Sequence, residues 1–525
     1  MPLSFRLFPA DLVISLMFFF FYHSEISRSM RFYFLLIFLS FIVSLNAQPG
    51  YNSILVDDTI PKTVELPSFS QLAPDGTWIL KKNPPLALSL VAVNNVFVWA
   101  FDRYILDADY ARINATTMRN NIKNGFEWDN DLFSTNLIAH PYHGSLYFTS
   151  ARANGISFWG SIPYTIAGSA MWEFLMENKY PSLNDFVATT IGGVGFGEML
   201  FRLSDVIIDD RTTHGDRIAR EIGVFVLTPM RGLTRLVTGN AFRHREVRGN
   251  QFPEIPSETT FSGGYRVLEE RTQDKIDIGN MMAFDMTFRY GTPFQSKTNQ
   301  PYDYFTFNLS CNFSREQPLI GRFSLLGKIS AREIEFRSLK HGLSVGLFQH
   351  FNFYQIDANV QNETEAFKLS ETASVGVGAL YRYYQSQYST FHVSSHLSGI
   401  IMGGSQTDYY RMDNRDYNLG SGFSGKLNAS WIYKKLKLEM ELEDYRLFTV
   451  AGNNPDKPEE FKPGVQGDVS RSALSMAYLN VNYRIGKSLF LSGEANVQHR
   501  KTDYKYYPSI NHRVFGQRIS LGVYL

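Results

Sequence analysis

Hydrophobic positions change their period near Thr259. Downstream, apolar and polar residues alternate. In KLKLEMELED, residues 435 to 444, Leu436, Leu438, Met440 and Leu442 fall on one face and Lys437, Glu439, Glu441 and Glu443 on the other. A strand separates two such sets cleanly and a helix does not. GFSGKLNASWIY sets Phe423, Leu427, Ala429, Trp431 and Tyr433 against Ser424, Lys426, Asn428 and Ser430, and SLFLSGEANVQ repeats the pattern with Leu489, Leu491, Ala495 and Val497. About twelve such segments can be drawn, each of roughly 9 to 13 residues, the span a tilted strand needs to cross a bilayer. Tight turns at 433–435 and 486–487 alternate with long polar connections near 403–420, 449–470 and 499–516. Short turns at one rim and long loops at the other predict an antiparallel transmembrane β-barrel over residues 259–525. The alternation fails near 291–320, where a long connection falls on the short side. A secreted β-sandwich is the alternative; its strands are shorter and its polar face meets solvent rather than a lumen.

From Leu86 to Leu236 the runs are longer and Pro, Gly and Asn punctuate them at helical intervals. The expected fold class is therefore α+β: an all-helical domain over 86–258, then the barrel. HPYHGSLYFTSARANG, residues 140 to 155, reads as a helix with His143, Tyr147, Ser150 and Asn154 on one face beside Gly144 and Ala151. A second helix runs from Ser157 to about Asn178, with Ser161, Thr165, Ser169, Glu173 and Glu177 in a slowly winding stripe. Its length approaches that of a spanning helix, but Pro163 and the two glutamates argue against a simple span. A third helix is capped by Ser182, with Asp185 in the capping-box position. In it Gly193 and Gly197 permit close helix approach, and Glu198 and Arg202 form an i,i+4 pair.

Met30-Arg31 opens a basic start, an apolar run and a small residue, Ala47, before Gln48. That is the layout of a secretory signal peptide, with residues 48–85 as a linker. The 29 residues before Met30 carry a second apolar run, so Met30 is the expected start, with a genuine membrane anchor as the alternative. The mature chain should reach the outer membrane, its helical domain periplasmic or within the barrel. Lys plus Arg total 51 against 50 Asp plus Glu, a balance that gives no pull toward nucleic acid. Aromatics reach 15%, which suits surfaces that meet lipid at an interface. Cys311 is the sole cysteine, so no internal disulfide, cysteine zinc site or iron–sulfur site can be built.

Candidate chemistry gathers in the helical half. His140, His143, Glu173, Glu177 and Glu198 could supply acid and base, and the two histidines are weak metal candidates. Arg152 and Arg202 could instead pair with buried glutamates and fix helix register. His-x-x-His is not the His-Glu-x-x-His of zinc proteases, GGVGFGE lacks the ending of a P-loop, and no nucleophile elbow stands out. No cofactor is implied.

Two resemblances bear on function. FGQRISLGVYL ends the chain in mid-strand, with Phe515, Ile519, Leu521, Val523 and Leu525 on one face, and resembles the closing strand of bacterial outer-membrane proteins. HPYHGSLYFTSARANG, SAMWEFLMENKYPSLNDF and TTIGGVGFGEMLFRLSD resemble an uncharacterised family of exported Gram-negative envelope proteins, a domain of unknown function, over roughly residues 95–210. The resemblance implies an envelope protein and brings no activity. The expected partners are outer-membrane lipids and, during biogenesis, the barrel-assembly machinery. The expected function is an envelope protein with a barrel and a helical periplasmic or plug domain; the alternative is a membrane enzyme acting on lipid or a cell-wall precursor.

Overall fold

The computed structural model describes residues 70–72, 77–129, 131–253, 255–271, 276–294, 299–314, 317–356, 367–409, 416–452, 454–456 and 467–525. The expected signal peptide, and all but two short pieces of the expected linker, lie outside the described residues.

Alternation builds the C-terminal half. Twelve antiparallel strands close into a barrel: β3 (Ser257–Arg271), β4 (Ile276–Tyr290), β5 (Phe305–Phe313), β6 (Ile320–Ile334), β7 (His341–Ile356), β8 (Phe367–Ser386), β9 (Ser389–Gln406), β10 (Tyr417–Tyr433), β11 (Leu436–Thr449), β12 (Ser470–Arg484), β13 (Leu489–Tyr504) and β14 (Ile510–Tyr524). β14 pairs with β3, Leu521 opposite Gly263, so no edge is left open. A short hairpin, β1 (Ser70–Leu72) and β2 (Trp78–Leu80), precedes the helices. The expected outward residues do face out: Leu491, Ile519 and Leu521 are exposed, while their neighbours Ser492 and Ser520 are buried.

The inward face is not an open channel. Arg322 on β6 reaches Glu441 on β11, five strands away by the shorter way round, at 2.7 Å. Tyr354 meets Glu443 at 2.9 Å, and Lys426 meets Glu371 at 2.5 Å. Leu268, Met281, Phe367, Ile400, Tyr445, Leu474 and Val514, from strands all around the ring, form one apolar cluster. Side chains of the wall thus meet across the lumen.

The short connections 387–388, 434–435 and 485–488, together with Ser257 and Leu525, define one rim; 407–416, 450–469 and 505–509 define the other. In outer-membrane barrels the short-turn rim is periplasmic. Within 291–320, where the alternation of the sequence fails, the structure places a strand, β5, between the long connection 291–304 on this rim and the shorter 314–319 on the other. The long connection has work there: the Pro301 carbonyl accepts from Arg202 of the helical domain at 2.7 Å.

The helical domain comprises α1 (Pro84–Tyr104), α2 (Ala115–Asn124), α3 (His140–Arg152), α4 (Phe158–Met171), α5 (Leu183–Val187), α6 (Gly193–Ile207), α7 (His214–Leu227) and α8 (Pro229–Val237). Ser182 caps α5, its hydroxyl accepting from Asp185 N, and the α5–α6 stretch runs nearly continuously to Ile207. A Cβ on Gly144 would stand 1.8 Å from the Thr189 carbonyl oxygen, and one on Gly193 would stand 2.6 Å from Gly144. α3 and α6 therefore cross at glycines, as their spacing predicts.

The helices do not plug the lumen. They lie outside it, against the wall. Phe196 packs on Phe323 and Phe351 with ring centroids 5.0 and 4.7 Å away, and Phe133 packs on Phe353 and Tyr417. Phe351 and Phe353 share the strand face of exposed Val345 and Leu347. Met286, Phe288, Phe307 and Leu325 complete this outer patch against Leu137, Phe148, Phe158 and Val194. Of the two placements that the sequence left open, the lumen is excluded; the domain is joined to the barrel at the periplasmic rim.

Candidate functional site

The bundle has two polar ends. The end near the short-turn rim is built on paired charges. Glu198 of α6, fully buried, takes Arg152 Nε at 2.7 Å and Arg202 Nε at 2.9 Å. Arg231 pairs with Asp205, and Asp210 receives Arg217, Arg235 and Arg245. A buried carboxylate costs little when hydrogen-bonded guanidinium groups surround it. Of the candidate residues, Glu198 and Arg152 belong to this end, where their contacts fix the register of α3 against α6.

The other end lies where Leu137 meets Gly404 and Phe133 meets Tyr417, at the long-loop ends of β9 and β10. His140 Nε2 stands 3.5 Å from Asp185 Oδ1 and 3.9 Å from Asp131 Oδ2. It makes no hydrogen bond, although His140 is only 8% exposed. One ligand atom from each of these residues lies within 4.8 Å of the others. Glu173 accepts from Ser182 N at 2.8 Å, and Glu177 accepts from Trp172 Nε1 at 2.5 Å. Glu177 lies in the turn beyond α4. Burial, then the charges of Asp129, Asp131 and Asp185, push its carboxyl up to about 8, with His140 opposing. The wall supports the cluster: Tyr417 donates to the Asp131 carbonyl at 2.8 Å and accepts from Asn136 at 2.6 Å.

Three wide, π-type turns border this end: Thr135–Ala139 before His140, Trp172–Met176 around Glu173, and Ala188–Gly192 after Asp185. Such turns break the regular ladder and are frequent at functional sites.

His143 bonds to a tyrosine on its own helix. Its Nε2 lies 2.8 Å from the Tyr147 hydroxyl, which donates to Asn95 of α1; Asn95 in turn donates to the Gly168 carbonyl of α4 at 3.0 Å. The polar face of α3 is thus a seam joining α1, α3 and α4, with Gly168 small enough to admit the Tyr147 ring. The sequence pattern points to His140, Glu173 and Glu177 but not to Asp131, and it gives Asp185 only a capping position. The acidic run EWDND just before the α3 segment is the signal that was available.

No curated protein matches the chain. Among solved structures, it is similar in the barrel to the NanC porin (10% identity, covering 49% of this chain and 98% of that one, TM-score 0.23). A loop-L8 deletion mutant of OmpT, an outer-membrane protein of Vibrio cholerae, gives 10% identity, 51% and 99% coverage and a TM-score of 0.21. The KdgM porin gives 9% identity, 49% and 97% coverage and a TM-score of 0.20. A family model described as a domain of unknown function, DUF3943, matches residues 125–230, which hold the His140 cluster and Glu198 with its two arginines. The chain thus carries a helical segment that matches the DUF3943 model, followed by a closed twelve-stranded antiparallel barrel.

Proposed function

We propose that the helical domain is the working part and that the barrel is its membrane scaffold, with residues 1–47 serving as an export signal. The observation that carries this reading is the convergence of three wide turns on a cluster of buried His140 and Asp185 with half-buried Asp131. The side-chain contacts across the lumen support it by leaving transport a minor place. Two carboxylates and one imidazole, with Glu177 beside them, are a donor set that suits a divalent cation. His140 and Asp185 would hold it from α3 and α5, and Asp131 from the preceding loop. A cation bound there would supply Lewis acidity or a reactive hydroxide, for use on an amphiphile at the membrane edge. Titration of the purified full chain with Mn²⁺, followed by electron paramagnetic resonance, tests the reading. One tight site per chain is expected, abolished in His140→Ala and in Asp185→Asn. No binding, or binding indifferent to both substitutions, would overturn it.

A further inference from the structure

The bundle carries a second apolar surface that faces away from both the wall and its own core. On α1, Leu88 and Val93 are 56% and 53% exposed; on α4, Trp159 and Ile166 are 58% and 41% exposed. Leu491 and Leu521, outward positions of the barrel wall, are 48% and 54% exposed. Ala92, Pro163 and Ala167 complete the stripes, and no charged residue interrupts either one. The charges bracket α1 instead: Lys81 and Lys82 precede it, and Asp102 and Arg103 close it. Its 21 residues make about 31 Å of helix, close to the hydrocarbon thickness of a bilayer.

We propose that the helical bundle stands in the outer membrane beside the barrel, with the α1–α4 face against lipid acyl chains. Continuity with the wall carries the inference. The bundle covers strand faces whose uncovered parts, at Val345, Leu347 and Phe284, are the barrel's lipid boundary. It runs along the wall from the short-turn rim, where Arg202 meets Pro301, to the long-loop end of β10, where Asp131 meets Tyr417. A protein placed there displaces lipid, and its own outer face becomes the new boundary. Helices suit that position because their backbone groups are paired within the segment. The features that argued against a span give way: Pro163 lies on the exposed face of α4, and Glu173 and Glu177 lie beyond the last turn of α4. The inference does not rest on the chemistry of the His140 cluster.

Nitroxide labels at Val93→Cys and Ile166→Cys, in a Cys311→Ala background, test it in phosphatidylcholine–phosphatidylglycerol vesicles. Collision rates with oxygen, which partitions into lipid, are compared with those for a water-soluble nickel chelate. A label at Leu521→Cys marks the lipid-facing wall, and one at exposed Lys501→Cys marks water. Retention of heat-modifiable mobility shows that each variant is folded. The oxygen-to-nickel ratio at 93 and 166 is expected to equal that at 521 and to exceed that at 501 severalfold. A ratio like that at 501 would place the face in water and overturn the proposal. Shielding from both probes would place it against protein and overturn it as well.

Discussion

The two ends of the helical bundle use the same residue types to opposite effect. At the short-turn end, Glu198 is clamped by Arg152 and Arg202, and Asp210 by three arginines. At the long-loop end, Asp131, Glu177 and Asp185 gather around the imidazole of His140, with Glu173 beside Glu177 and Asp185. Compensated charge locks helices together. Carboxylates in excess leave a demand that a ligand can meet, at a cost in stability without it. Burial alone therefore does not mark a functional carboxylate; the sign of its neighbours does.

The contrast is broken most directly at Glu198. Glu198→Ala leaves two arginines buried without their partner and should cost ~3–5 kcal/mol, read as a lower midpoint in thermal unfolding followed by circular dichroism. Asp185→Asn should leave that midpoint unchanged or raise it, because it relieves like-charge crowding. Equal losses at the two sites would erase the distinction between the ends. The wall sets the next scale. Leu521→Arg puts a charge on the lipid face and should cost ~2–4 kcal/mol, visible as reduced assembly into membranes, whereas the inward Glu439→Gln should assemble normally. Tyr417→Phe sharpens the comparison from the barrel side. It removes the hydroxyl that holds the Asp131 carbonyl, a loss of ~0.5–1.5 kcal/mol, and should weaken Mn²⁺ binding while the Glu198 end keeps its midpoint in the pH-independent part of the curve. An effect confined to one pH window is expected from Glu177. Its folded carboxyl sits at about 8, raised above the ordinary value. The stability it contributes is full below the unfolded value and is lost as pH rises through about 8. Unfolding midpoints should fall over that window and fall less in Glu177→Gln.

Strand parity was legible because alternation is local. Leu438 and Glu439 declare their sides without reference to the rest of the chain. The glycine crossing of α3 and α6 was legible for the same reason, since four-residue spacing fixes a helix face. The cover on the wall was not. Phe288, Phe307 and Phe351 point outward whether they meet lipid or Phe196, and an aromatic ring carries no mark to tell the two apart. The cluster was half legible: His140, Glu173 and Glu177 stood out as polar residues in apolar helices. Asp131 comes from the loop before α3, Asp185 enters only when the chain returns after the α3–α4 hairpin, and no short-range rule foretells the wide turns that aim them.

The outer patch around Phe196, Phe323 and Phe351 has a consequence for biogenesis. The helices precede the strands in the chain, yet the surface on which they settle exists only once β4 to β10 have closed side by side. Residues 84–242 therefore reach the envelope first and dock last. In the interval their aromatic faces need a holder, and the finished barrel is at once the product of assembly and the template for its final step.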